Sequence, residues 1–102
     1  MAEEKADRAP RLPLDVEVNC GATGSAYSKN ISTTGMAIIS DYPMEMGKYI
    51  QLKFFLPGDQ TPISAYGKVA RSKLISDNFY ENGLSFWEID DQDKEKLIAF
   101  FN

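Results

Sequence analysis

Apolar residues at every second position decide what this chain can fold into. Over residues 50–56, Ile50, Leu52, Phe54 and Leu56 alternate with Gln51, Lys53 and Phe55. Over 63–69, Ile63, Ala65, Gly67 and Val69 fall on one face and Ser64, Tyr66 and Lys68 on the other. Leu14, Val16, Val18 and Cys20 alternate in the same way with Asp15, Glu17 and Asn19. A period of two marks a strand with one buried face. Further strands fit residues 25–31, 36–39 and 80–87, the last with Leu84 and Phe86 facing in and Gly83 as a residue that lets another backbone approach. Turn residues separate them: Gly21-Ala22-Thr23-Gly24, Asp41-Tyr42-Pro43, Gly47, Pro57-Gly58-Asp59 and Ser76-Asp77-Asn78. The period then switches. Asp90 or Asp91 can cap a helix whose apolar stripe is Leu97, Ile98 and Phe101. Six short strands and one helix predict an all-β fold. We expect a six-stranded antiparallel β-barrel, closed or nearly closed, capped at one end by a short C-terminal α-helix. Closure removes sheet edges that so small a protein would otherwise have to protect.

The 102 residues suit a single domain, which we place at residues 10–102 behind a flexible leader of residues 1–9. There is no histidine, so the commonest general base and the commonest metal ligand are missing together. One cysteine, Cys20, can form neither an intrachain disulfide nor, without histidine, the usual zinc site. It is expected to be a small, partly buried strand residue. The acidic run Asp90-Asp91-Gln92-Asp93 is explained by helix capping and the helix dipole. We therefore expect no enzyme, no catalytic residue, no metal and no cofactor. A net charge of −4 disfavours broad attraction to DNA, RNA or an anionic membrane. No apolar run approaches the roughly 20 residues that span a bilayer. The start, "MAEEKADRAP", lacks the apolar centre of a signal peptide. The expected location is cytoplasmic.

Two short stretches carry the functional signal. The first is "DRAPRLPL", with Arg8 and Arg11 just ahead of the first strand. The second is "NISTTG", Asn30 to Gly35, between the second and third strands. Alone, the second reads as a turn, since Asn and Ser bond locally to backbone and Gly permits positive φ. Together, in this order on this strand pattern, they resemble the PilZ domain family. That family's signature is R-x-x-x-R in a leader, then [D/N]-x-S-x-x-G some 20 to 30 residues later. Asn30, Ser32 and Gly35 match every defined position of the second part. The resemblance continues through Gly47, "KFFLPGD", "GKVARS", "YENGLSF" and "DQDKEKLIAFF", so it covers residues 7–101. The first part departs from the signature. Arg11 stands where the second arginine belongs, but four positions earlier comes Asp7, with Arg8 adjacent. Loss of one charge-assisted contact there should cost about 1.5–3 kcal/mol.

The resemblance implies a PilZ-like barrel that binds the bacterial second messenger cyclic di-GMP and folds its arginine leader over the ligand. Arginine suits such a ligand: its planar fork pairs with guanine O6 and N7, grips phosphate and stacks on purines. The implied site is Arg8, Arg11, Asn30, Ser32 and Gly35. A chain of this length leaves the output to an unidentified partner protein. The alternative is a degenerate PilZ adaptor that binds a protein without nucleotide. It calls for an exposed apolar patch, with Tyr42, Met44, Met46, Phe79 and Trp87 as candidates. A single-strand nucleic-acid barrel of the cold-shock or OB type is a third reading, and the net acidity opposes it.

Overall fold

The structure, a computed structural model, describes residues 10–102. The strands are β1 (Leu12–Pro13), β2 (Glu17–Asn19), β3 (Ser25–Ile31), β4 (Gly35–Ser40), β5 (Tyr49–Phe54), β6 (Ile63–Ser76) and β7 (Phe79–Ile89), followed by helix α1 (Asp91–Phe100). All pairings are antiparallel. They run β2–β3–β4–β7–β6–β5 and return to β2 through the bridge Asn19↔Lys53. This is a closed six-stranded antiparallel barrel with one C-terminal helix, the architecture expected from the pattern.

The first strand is broken into β1 and β2, which both pair with β3. The cause is Ser28. Its hydroxyl accepts a hydrogen bond from the Val16 N–H (2.9 Å) and donates one to the Leu14 carbonyl (2.6 Å). A side chain thus serves the Leu14 carbonyl and the Val16 N–H, while backbone bonds continue from the Leu14 N–H to the Lys29 carbonyl and from the Ser28 N–H to the Val16 carbonyl, and Leu14 and Val18 stay buried.

The inward residues of the alternating runs form the core: Val18, Ile31, Met36, Ile38, Leu52, Phe54, Ile63, Val69 and Leu84 among them. Gly67 is needed there, because a Cβ would lie 2.9 Å from Leu52 Cδ1 and 3.1 Å from Leu84 Cδ2. Cys20 is fully buried, just past the end of β2 rather than within a strand. Burial raises its thiol to a pKa of about 11, and that of the neighbouring Tyr42 phenol to about 12.

Asp90 occupies the N-cap of α1 but makes no side-chain capping bond. The helix is secured to the barrel instead. Asp93 Oδ2 accepts the Ser64 N–H at 3.0 Å, and Lys96 reaches Asp59 at 3.1 Å and the Thr61 carbonyl at 2.9 Å. Leu97 enters the core, with Phe100 and Phe101 against it, whereas Ile98 is exposed. Leu97 and Phe101 thus face the barrel as expected, and Phe100 takes the place of Ile98. Among the described residues no helix is long and apolar enough to cross a membrane.

Candidate functional site

The pairing of β1 with β3 sets Leu12 opposite Ile31 and Pro13 opposite Asn30. That places Arg11 beside the start of the "NISTTG" turn, and its Nη1 donates a 2.7 Å hydrogen bond to Asn30 Oδ1. The two halves of the signature thus meet through one side-chain contact. Arg8 and Asp7 lie outside the described residues.

Ser32 and Gly35 have a different place. Ser32 is only 1% exposed. Its N–H donates to the Gly35 carbonyl at 2.8 Å. Its Oγ accepts from the Thr34 and Gly35 N–H groups at 3.1 and 3.2 Å. The hydroxyl is occupied in holding the turn. Gly35 faces β7, where a Cβ would sit on the Leu84 carbonyl oxygen and 3.1 Å from Ser85 Cα. The glycine permits approach of a strand, and the Phe86 N–H then pins the Thr34 carbonyl at 2.8 Å. Of the turn residues, Thr34 is the exposed one, the others being buried or half-buried.

Arg11, Thr34 and Gly35 border a shallow recess of about 120 Å³ with Arg71, Gly83 and Ser85. Arg71 is the residue that the sequence reading missed. Its guanidinium lies across Gly83, where a Cβ would come within 2.7 Å of Nη1. Gly83 is thus a strand residue that makes room, as expected, but for a side chain rather than a backbone. The cause of the miss is a bulge. Val69 pairs with Leu84 and Arg71 with Gly83, which leaves Ala70 as the extra residue. Two positions after inward-facing Val69, strict alternation turns Arg71 into the core; the bulge turns it out. The available signal was the pair "VAR" and "NGL", an arginine and a glycine on neighbouring strands, but only the register joins them.

Two guanidinium groups, those of Arg11 and Arg71, border the recess. Arg71 lies 3.6 Å from Glu81, which also accepts a 3.1 Å ion pair from Lys29. The Lys29 hydrogen bond holds the Glu81 carboxyl below the usual carboxylate range. Lys29 and Arg71 thus share one carboxylate, while Arg11, bonded to Asn30, borders the recess with Arg71. A recess this small takes one phosphate or one base edge, not a whole nucleotide. Guanidinium groups suit either. Among the described residues no group of three or more His, Cys, Asp or Glu side chains is placed to hold a metal ion.

The recess and barrel can be set beside known proteins. The family model of the PilZ domain matches residues 4–102. Among solved structures, the Bacillus subtilis inhibitor of motility (MotI/DgrA) superposes with a TM-score of 0.78 at 20% identity, covering 91% of this chain and 48% of that one. The K. pneumonia MrkH–c-di-GMP complex gives a TM-score of 0.76 at 18% identity, over 92% and 50% of the two chains. The chain spans about half the length of either protein. No curated protein matches it by sequence. The likeness to the two structures is one of fold, and the family match runs from the leader through the signature turn to the end of the helix. The chain belongs to the PilZ domain family.

Proposed function

We propose that this protein is a cyclic di-GMP receptor that passes the signal to a partner protein. The observation that carries the reading is the Arg11–Asn30 bond, which joins the two halves of the signature, with Arg11 bordering a recess that Arg71 also borders. Arg11 and Arg71 would bind phosphate or a guanine face, and Asn30 a guanine edge. Ser32 and Gly35 would act by fixing the turn. Arg8 belongs to the proposed site as a further phosphate or base contact. The family, and a structural neighbour solved as a complex with c-di-GMP, support the same ligand. Nothing in this role calls for an enzyme, and the family match points to a binding module.

A ¹⁵N–¹H chemical-shift titration with cyclic di-GMP tests the placement. Shifts are expected at Asn30, Thr34, Gly35, Arg71 and Gly83. Absence of shifts at hundred-micromolar nucleotide, or shifts confined to another face, contradicts it. The adaptor reading, protein binding without nucleotide, draws support from Asp7 at the usual first-arginine position and from exposed Trp87, Phe79 and Met46. Of its other two candidates, Met44 is buried and Tyr42 packs against the core. The substitution Asp7→Arg separates the readings: it should tighten nucleotide binding in a receptor and leave an adaptor silent.

A further inference from the structure

We propose that the outer face of β5, β6 and β7 is the docking surface for the partner, and that it takes a basic segment bearing arginine or lysine. The proposal builds on the receptor reading in one respect, the need for an output surface beside the nucleotide recess.

Three aromatic side chains stand on this face: Tyr49, Tyr66 and Trp87, at 50%, 43% and 60% exposure. Trp87 is there because of a second bulge. Tyr66 pairs with Glu88 and Gly67 with Phe86, so Trp87 has no opposite residue. Bulges re-aim side chains, and this one presents the chain's single tryptophan to solvent. The Trp87 and Tyr49 rings meet edge to face, with centroids 4.8 Å apart. Trp and Tyr are the side chains most often found at the energetic centres of interfaces. Burying them on a partner would remove an aromatic patch that folding leaves in water.

The charges select the partner. Two depressions border the patch and share Glu88. The smaller, of about 170 Å³, sets Tyr66 beside Glu88 and Asp90 with no basic side chain in its lining. The larger is lined by Asp91 and by one cation, Lys94. None of the ion pairs among the described residues uses Glu88, Asp90 or Asp91. These carboxylates are placed to receive a cation from outside, next to aromatic faces that attract one. The face already holds one internally: Lys68 Nζ lies 5.8 Å from the Tyr49 ring centroid. A net charge of −4 steers the same kind of partner. Thr34 lines both the larger depression and the nucleotide recess, so a ligand in one borders the other.

The test titrates nucleotide-free protein with a blocked (Arg-Gly)₃ peptide and with its (Glu-Gly)₃ counterpart, read by ¹⁵N–¹H spectra. The arginine peptide should shift Tyr49, Tyr66, Glu88 and the Trp87 indole N–H, and salt should weaken the response. Trp87→Ala should weaken binding about ten-fold. Glu88→Gln combined with Asp90→Asn should weaken it while leaving the spectrum folded. An equal response to both peptides, shifts on another face, or indifference to these substitutions overturns the proposal. So does concentration-dependent self-association in sedimentation that Trp87→Ala removes, since the occupant would then be a second copy. Cyclic di-GMP is titrated separately, so failure of the receptor reading and failure of this surface are distinguishable.

Discussion

Ser32 and Gly35 shape the turn, Asn30 bonds Arg11, and Arg11 and Arg71 border the recess beside it. Gly35→Ala should therefore act first on stability. Its methyl group meets the Leu84 carbonyl and Ser85 Cα, both backbone. Overpacking of this kind costs about 1–3 kcal/mol, occasionally more. Urea unfolding should show that loss without any ligand present, and an unchanged midpoint would contradict the packing. Cys20 gives a second residue-scale expectation. Burial raises its pKa from 9.0 to about 11, and that of Tyr42 from 10.0 to about 12. The unfolded chain then loses these protons first. Their contribution to stability is complete below about pH 9 and falls as pH rises through the folded values. Urea midpoints between pH 7 and 10.5 should decline above pH 9, and Cys20→Ala should flatten part of that decline. At this scale the sequence marked Asn30 to Gly35 as a turn. It pointed to the locally bonding serine, but implied a positive φ for the glycine; Gly35 has none and is needed because β7 lies against it.

At the scale of elements, alternating runs marked β2, β5 and the first half of β6, because one buried face is what alternation records, whereas β4 is buried at nearly every position and shows none. Alternation also failed where burial fails. β6 continues to Ser76, but beyond Val69 its residues are mostly exposed, so the pattern ended early. The bulges at Ala70 and opposite Trp87 change which residues face out without marking the sequence. Those two places hold Arg71 and the exposed tryptophan, the two functional candidates whose positions needed a register. The helix is simpler. Leu97 is wholly buried between α1 and the barrel, so Leu97→Ala should cost about 2–5 kcal/mol. Ile98→Ala, one position away and exposed, should cost much less. Equal losses in thermal or urea unfolding would contradict the docking of the helix described above.

Across the whole molecule, closure of the barrel brings distant parts of the chain to one recess: Arg11 from the start, Thr34 and Gly35 from the turn, and Arg71 and Gly83 from β6 and β7. It also sets the aromatic face of β5–β7 beside that recess. On the proposed reading, an acidic protein keeps two arginines at one recess for a dianionic ligand and an acidic, aromatic surface for a partner. The most direct measurement is isothermal titration calorimetry with cyclic di-GMP on the unaltered chain, Arg11→Ala and Arg71→Ala. Each arginine should contribute about 1.5–3 kcal/mol, so each substitution should weaken binding about ten- to hundred-fold. Saturable heat from the unaltered chain, reduced by both substitutions, is the expected result. No heat at micromolar protein and hundred-micromolar nucleotide, or binding indifferent to both arginines, would contradict the receptor reading.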